Sequence, residues 1–221
     1  MAMLTDDVKT KIRPLLDTLA HDVELKVFTG SSLVIPGQDE TGRQRETLGL
    51  LREVAALSDK LTVTETPIAG DDEARAARIT RAPTIVFRRK GETRTNLRYV
   101  GLPSGYEFST LLEAIRMVGT DTDVSDPVGD LAQSVLLQTF VTPTCPHCPR
   151  AVLTAFELAL GNDKIIAEGV EATEFPVLSQ AYRIASVPDT IIDRKANNRV
   201  LGAQPKQQFV EAIRSAAAVP A

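Results

Sequence analysis

The chain has 221 residues, of which 43% are hydrophobic and 24% are charged, a balance typical of soluble globular proteins. Its formal net charge of −4 argues against nucleic acid or an anionic membrane surface as the main partner. No apolar run reaches the length of a membrane span, and the acidic start at residues 1–7 lacks the basic and then apolar order of a signal peptide. We therefore expect a cytoplasmic protein of one large or two ordinary domains.

The first half predicts alternating helices and strands, because apolar residues recur at helical spacing in some segments and alternate in others. In chain order the predicted elements are a helix at 5–19, a strand at 23–28, a helix at 43–58, a strand at 61–66, a short helix at 71–79, strands at 81–87 and 96–100, and a helix at 108–118. A polar loop at 29–42 follows the first strand. After the leading helix, the order is β-α-β-α-β-β-α.

A polar, turn-rich stretch at 119–130 marks a boundary, and the same pattern then begins again. The predicted elements are strands at 135–141, 164–173, 188–192 and 199–201, and helices at 151–160, 177–184 and 209–217. Asn197 and Asn198 form the predicted turn before the last strand. We expect an α/β protein of two tandem domains, 1–119 and 120–221, each with a central mixed sheet flanked by helices.

Short sequence matches between the halves support an internal repeat. Arg78-Ile79 followed by Pro83 matches Arg183-Ile184 followed by Pro188, and each position is shifted by 105 residues. The segment 113–116 also recurs as 211–214. Both halves therefore follow one supersecondary plan.

Cys145 and Cys148 are the only two cysteines of the chain, and they lie between the predicted strand 135–141 and the predicted helix 151–160. This arrangement places Cys145 at a helix N-terminus, where unpaired amides and the helix dipole favour a thiolate. Cys148 lies one turn later, within reach of a disulfide. The pattern predicts a redox-active dithiol.

Two other interpretations of the cysteine pair are a zinc site and a pair of inert thiols. Structural zinc needs four ligands, and the chain adds only His21 and His147 to its cysteines. His147 sits between the cysteines, where its ring could hardly complete the same tetrahedron, and His21 is remote in sequence. Chance also rarely places the only two cysteines at this spacing. We expect no metal and no cofactor.

The element order, the Cys-x-x-Cys after a first strand and the proline opening a third strand together resemble the thioredoxin fold. Two such units resemble the tandem protein disulfide oxidoreductases of thermophiles, also called glutaredoxin-like, and the likeness is specific in 141–149, 170–172 and 99–108. Many members carry a Cys-x-x-Cys in each half, whereas here Leu33 and Pro36 stand at the equivalent positions. A cysteine-free first half is similar to the N-terminal module of the flavoprotein that reduces alkyl hydroperoxide peroxiredoxins.

These patterns predict roles for individual residues. As a hypothesis, Cys145 attacks a substrate disulfide and Cys148 resolves the mixed disulfide. His147, beside Pro146, can stabilise the thiolate and make the dithiol more oxidising, although a solvated histidine is the alternative. The resemblance implies that Pro188 is cis and faces the dithiol, with Pro83 as its counterpart. Val187 and Thr144 are then the substrate-binding residues.

The carboxylate that thioredoxins use for proton transfer has no direct counterpart. The equivalent position, six residues before the first cysteine, is Thr139. Glu171 could supply a carboxylate, although the strand pattern favours a surface position for it. Asp189, directly after Pro188, either lies near the site or points outward, and the basic run 88–90 is expected to be a solvated hairpin.

The function we expect is a thiol-disulfide oxidoreductase that reduces protein disulfides through Cys145 and Cys148. The implied partners are disulfide-containing proteins and a separate thioredoxin-reductase-like reductase. One alternative is an electron donor to a peroxiredoxin, and another is a non-catalytic redox-sensing or binding module. The cysteine-free first half is expected to extend the docking surface.

Overall fold

The computed structural model describes residues 3–30, 40–121 and 124–218. The helices of this part are α1 (Asp6–Leu16), α2 (Glu40–Ala55), α3 (Asp72–Ala76), α4 (Glu107–Gly119), α5 (Cys148–Gly161), α6 (Pro176–Ala181) and α7 (Lys206–Ala218). Its strands are β1 (Val23–Thr29), β2 (Leu61–Pro67), β3 (Thr84–Arg89), β4 (Leu97–Val100), β5 (Val135–Val141), β6 (Ile165–Glu171), β7 (Asp189–Ile192) and β8 (Lys195–Leu201). Leu33 and Pro36 lie outside the described residues.

The strands of the two halves follow the same order. In the first half the order is β2-β1-β3-β4, with β1 parallel to β2 and antiparallel to β3. In the second half the order is β6-β5-β7-β8, with β5 parallel to β6 and antiparallel to β7. The expected mixed α/β fold is confirmed, because each parallel pair is joined through a helix, as parallel strands require.

The chain forms two compact units that do not divide at one point of the sequence. The first consists of Met1–Thr95, Tyr99–Leu102 and Leu112–Asp121, and the second of Asn96–Arg98, Pro103–Leu111 and Thr122–Ala221. Two short segments that precede the polar linker therefore pack with the cysteine-bearing unit. The division into domains at 119 and 120 stays a prediction.

The core of the second unit lies on both faces of β5, whose seven residues are all buried. This strand is a continuous apolar run with two polar exceptions, as expected of a central strand covered on both sides. The helix α5 buries one face on the sheet, and its largest buried side chain is Phe156. Burying a side chain of this size stabilises the fold by about 1.5–3 kcal/mol. The strand and helix that flank the cysteines are thus firmly held.

The backbone confirms the internal repeat at three pairs of positions. Arg78 and Arg183 both adopt positive φ, at 55° and 53°. Pro83 and Pro188 both follow cis peptide bonds, as the resemblance implied. The carbonyl of Pro83 accepts a hydrogen bond from the N–H of Gly101 at 2.9 Å, and that of Pro188 accepts one from Gly202 at 2.8 Å.

The predicted turn at Asn197 and Asn198 is wrong. The chain turns at Asp193 and Arg194, whose φ values are 52° and 58°, and both asparagines lie within β8. Two consecutive residues of positive φ form the tight turn that suits the twist of a hairpin. The Asp-Arg pair carries a weaker turn signal than Asn-Asn, so local preference pointed to the wrong position.

The basic run 88–90 is solvated only in part, because Lys90 is exposed in the turn after β3, whereas Arg88 is only 8% exposed. Its Nε donates to Glu24 at 2.6 Å, and its guanidinium also pairs with Glu73.

Within the described part of the chain, no helix is long and apolar enough to cross a membrane.

Candidate redox site

Cys145 and Cys148 are joined by a disulfide, and their Cα atoms are 5.5 Å apart. The helix α5 begins at Cys148, not at Cys145, and Pro149 occupies its first turn. Proline suits this position because the first helical N–H groups have no partner within the helix. Cys145 lies in the preceding turn, where its N–H donates to the carbonyl of Thr142 at 3.2 Å.

The two sulfurs differ in their access to solvent. Cys148 is fully buried, whereas Cys145 is partly exposed. Thiol exchange requires that the attacking sulfur reach a partner. Cys145 is therefore the sulfur that a partner protein can meet.

Val187 and Pro188 lie beside the dithiol. The Sγ atom of Cys145 is 3.8 Å from the carbonyl oxygen of Val187, and Pro188 is buried. Thr144, Pro146 and His147 are exposed around the cysteines, and the His147 side chain makes no capping hydrogen bond to α5. No three His, Cys, Asp or Glu side chains of the described segments are grouped so that they could hold a metal ion.

Glu171 is buried at 1% exposure, so the expected surface position is wrong. It ends β6 opposite Val141, the last residue of β5. Its carboxylate accepts hydrogen bonds from the N–H and hydroxyl of Thr173 and, at 2.6 Å, from the N–H of Glu174. Glu171 therefore holds the turn between β6 and α6.

A second buried carboxylate, Glu107, was not predicted from the sequence. Glu107 is 0% exposed, and one of its oxygens accepts from the hydroxyl of Thr110 at 2.9 Å. Its other oxygen, Oε1, has no hydrogen-bond partner among the residues that the structure describes. Burial first, and then the nearby carboxylate of Glu171, raise the pKa of Glu107 to about 7. Glu107 is thus a carboxyl group that can both hold and release a proton near neutral pH.

Glu107 follows residues 105–106, which contact Pro143, two residues before Cys145. The N–H of the preceding residue, Tyr106, donates to the carbonyl of Pro143 at 2.9 Å. Gly105 has a φ of +60° and lies so close to this carbonyl that a Cβ atom would collide with it. The sequence signal at Glu107 was uninformative because an acidic residue in a first helical turn is common for electrostatic reasons.

Asp189 is buried at 1% exposure and does not point outward. One oxygen accepts from Nη1 of Arg199 at 2.8 Å, and the other, Oδ1, has no hydrogen-bond partner within the described part of the chain. Burial raises the pKa of Asp189, and the charge of Arg199 opposes this rise. Arg199 also donates to the carbonyl of Tyr182, which follows α6, at 2.7 Å. This guanidinium therefore links the start of β7 to the end of α6.

Thr139, at the position of the thioredoxin carboxylate, is fully buried. Its hydroxyl lies 2.9 Å from the hydroxyl of Thr190 on the neighbouring strand. The two hydroxyls satisfy one another, so this position holds a neutral cross-strand hydrogen bond.

A family model described as Thioredoxin domain matches residues 136–215. The chain also superposes on the protein disulfide oxidoreductase from Aeropyrum pernix K1 with a TM-score of 0.79 and 27% identity, over 96% of this chain and 93% of that one. Its fold is a tandem thioredoxin-like fold.

Further relatives share this tandem thioredoxin-like fold. The N-terminal domain of alkyl hydroperoxide reductase AhpF from Enterococcus faecalis superposes with a TM-score of 0.83 and 23% identity, over 95% of this chain and 99% of that one. The F subunit of the alkyl hydroperoxide reductase from Pseudomonas aeruginosa is 26% identical over 196 residues, which cover 86% of this chain and 34% of the relative. Its namesake from Staphylococcus epidermidis is 28% identical with the same coverage. This chain therefore spans about a third of the length of these curated relatives.

Proposed function

We propose that this protein is a thiol-disulfide oxidoreductase that reduces protein disulfides through Cys145 and Cys148. The observation that carries the proposal is the pairing of a partly exposed sulfur, Cys145, with a fully buried one, Cys148, beside the carbonyl of Val187. The name protein disulfide oxidoreductase, borne by a structural relative of 27% identity, supports it.

The proposed reaction begins with the reduced dithiol. The Cys145 thiolate attacks one sulfur of the partner's disulfide, so a mixed disulfide forms and the partner's other sulfur leaves as a thiolate. Cys148 then loses its proton and attacks the Cys145 sulfur. The Cys145–Cys148 disulfide forms, and the partner's second sulfur leaves as a thiolate. Two electrons have passed to the partner, and a separate reductase must return them.

The proton of Cys148 needs an acceptor, because this thiol is fully buried. We assign that role to Glu107, because the residue before it, Tyr106, donates its N–H to the carbonyl of Pro143 near the cysteines, and because its pKa of about 7 leaves part of its population ionised at neutral pH. A general base works best when its pKa lies near the working pH. Glu171 accepts hydrogen bonds from the turn after β6, and its nearby carboxylate raises the pKa of Glu107.

The two cysteine variants test the proposal together. Cys145→Ser should abolish the protein's acceleration of insulin reduction by dithiothreitol, because the accessible attacking sulfur is lost and Cys148 is fully buried. Cys148→Ser should accumulate a mixed disulfide between Cys145 and the substrate, visible as an added mass that a reductant removes. Ala203→Ser, which adds a hydroxyl in the loop after β8, is the matched control and should turn over as the wild type does. Turnover by Cys145→Ser would overturn the proposal.

A second candidate function is electron donation to a peroxiredoxin. It is favoured by the relatives named for alkyl hydroperoxide reductase, which match 86% of this chain. Comparing kcat/KM for an oxidised peroxiredoxin with that for insulin separates the candidates. A much larger value for the peroxiredoxin supports the dedicated donor, and equal values support a general reductase.

We further propose that residues 1–119 and 120–221 act as two thioredoxin-like domains in a reducing, cytoplasmic setting, where a disulfide is more often catalytic than structural. The repeated strand order supports the two domains. The first domain would extend the surface that docks the substrate or a thioredoxin-reductase-like reductase. Deleting residues 1–95, which all belong to the first unit, should weaken partner binding, which surface plasmon resonance would measure as a larger Kd.

A further inference from the structure

Arg150 lies two residues after the buried cysteine, Cys148, in the first turn of α5. The residue is exposed, and its Nη2 donates a hydrogen bond to the carbonyl of Ala203 at 2.7 Å. The neighbouring N–H of Gly202 donates to the carbonyl of Pro188 at 2.8 Å, so the loop after β8 lies beside the redox site. The guanidinium is therefore fixed at the edge of the surface that a partner disulfide must approach.

The bond to Ala203 leaves most of the guanidinium available. In the described part of the chain no carboxylate pairs with Arg150, and Glu157, the acidic residue of α5, pairs with Lys206 instead. The N–H groups of a guanidinium form a planar fork that matches the two oxygens of a carboxylate. Because the bond to residue 203 uses only the main chain, Arg150 can keep it, whatever the side chain there, and bind a carboxylate as well.

The position of Arg150 is unfavourable for the helix that carries it. The N-terminal end of a helix dipole is positive, so a cation in the first turn is destabilising. The first turn of α5 contains no acidic residue that would offset this charge. The stability of α5 therefore does not explain the arginine, and a role in meeting another molecule does.

Three segments around the dithiol carry no carboxylate. Residues 142–150, 184–188 and 201–206 contain no aspartate or glutamate. The acidic residues next to them, Glu171 and Asp189, are both buried. The whole chain has a net charge of −4, so these segments differ in sign from the protein as a whole. An acidic partner would meet a complementary charge here.

We infer that Arg150 is a specificity-determining residue, which favours partners that carry a carboxylate beside their disulfide. Its guanidinium binds that carboxylate while Cys145 attacks the neighbouring sulfur. This inference rests on the proposed disulfide reduction and adds a substrate class to it, namely disulfides flanked by acidic residues.

The test uses three disulfide-bonded peptides that differ only in the two residues beside each cysteine, which are glutamate, glutamine or lysine. At low salt the full chain should reduce the acidic peptide with a kcat/KM about three-fold above that of the neutral peptide, and the basic peptide should be the slowest. At about 1 M NaCl the three values should converge, because salt screens exposed charges. Equal values at low salt would overturn the inference.

Two variants of Arg150 separate docking from reactivity. Arg150→Gln should remove the preference for the acidic peptide, and Arg150→Glu should reverse it, so that the basic peptide becomes the fastest. A change in the reactivity of the Cys145 thiolate would alter all three rates by a common factor and leave their ratios as they were. If both variants keep the wild-type order, Arg150 does not select the partner.

Arg214→Glu is the matched control, because it makes the same change of charge at an exposed arginine that also bonds main-chain carbonyls. Those carbonyls belong to Pro127 and Val128, which precede β5, whereas the cysteines follow that strand. Arg214→Glu should keep the wild-type order of the three peptides. A reversal as large as that of Arg150→Glu would mean that net charge, and not Arg150, sets the preference.

The two proposals fail in different ways. A wild-type protein that reduces neither insulin nor any of the peptides would remove the proposed function and, with it, the inference. Reduction of all three peptides with one kcat/KM at low salt would leave the function standing and remove only the selection by Arg150.

Discussion

Glu107 and Glu171 are two buried carboxylates close enough that the charge of one alters the ionisation of the other. Glu107 lies in the first turn of α4, and Glu171 lies at the end of β6. The carboxylate of Glu171 accepts hydrogen bonds from the turn that follows it, whereas Oε1 of Glu107 has no hydrogen-bond partner in the described segments. Burial and the charge of Glu171 both favour the protonated form of Glu107.

Glu107→Gln should change how stability depends on pH. The folded pKa of about 7 is above the ordinary value of 4.5, so Glu107 contributes stability below about pH 4.5 that is lost as the pH rises through about 7. The full loss corresponds to roughly 3 kcal/mol. Urea unfolding of the wild type and the variant at about pH 5 and about pH 9 should show the wild type losing more stability.

The control for this experiment is Glu113→Gln, which changes a partly exposed glutamate of the same helix that pairs with Arg116. The free energy of unfolding of Glu113→Gln should depend on pH as that of the wild type does. Parallel curves for the wild type and Glu107→Gln would contradict the raised pKa.

Glu171→Gln should lower the pKa of Glu107, because it removes the nearby negative charge and leaves a side chain of similar size. Burial is the larger cause of the rise, so the pKa should stay above its ordinary value. Carbon-13 NMR of the Glu107 carboxyl group as a function of pH would measure the change. An unaltered titration in this variant would mean that the two carboxylates do not interact.

Arg199→Met should destabilise the protein by about 3–5 kcal/mol, because it leaves Asp189 buried without its ion-pair partner. The loss should be larger at high pH, where Asp189 is ionised, and smaller at low pH, where it is protonated. Urea unfolding at several pH values measures both effects. Asp189→Asn added to Arg199→Met should restore part of the stability, and a double variant no more stable than the single one would contradict the ion-pair explanation. Arg150→Met removes a more exposed arginine that bonds a carbonyl and serves as the control.

His147→Gly should make the dithiol less oxidising, because a histidine beside the cysteines can stabilise the thiolate and so the reduced form. His147 is exposed and uses no ring nitrogen to cap α5, so its side chain can be removed without loss of a capping bond. Equilibration with glutathione redox buffers should show a more negative reduction potential for the variant. An unchanged reduction potential would mean that His147 is a solvated residue that does not influence the dithiol.

Much of the fold could be predicted from local pattern. The strand Val135–Val141 agrees with the predicted strand 135–141, and the repeat found in Arg78 and Arg183 reappears as a pair of left-handed residues. Such features depend on neighbours in the chain or on the spacing of apolar residues. The hairpin before β8 was placed wrongly because its position depends on cross-strand pairing, which a strong local Asn-Asn signal obscured.

The sequence by itself predicted a redox dithiol, because Cys145 and Cys148 and their three-residue spacing are covalent facts of the chain. Only the tertiary structure decided which sulfur is accessible and which carboxyl group has a raised pKa. The sequence predicted a surface position for Glu171, left the position of Asp189 open and gave no prediction for Glu107, yet all three are buried. Their ionisation depends on burial and on the charges around them, and residues distant in sequence supply both.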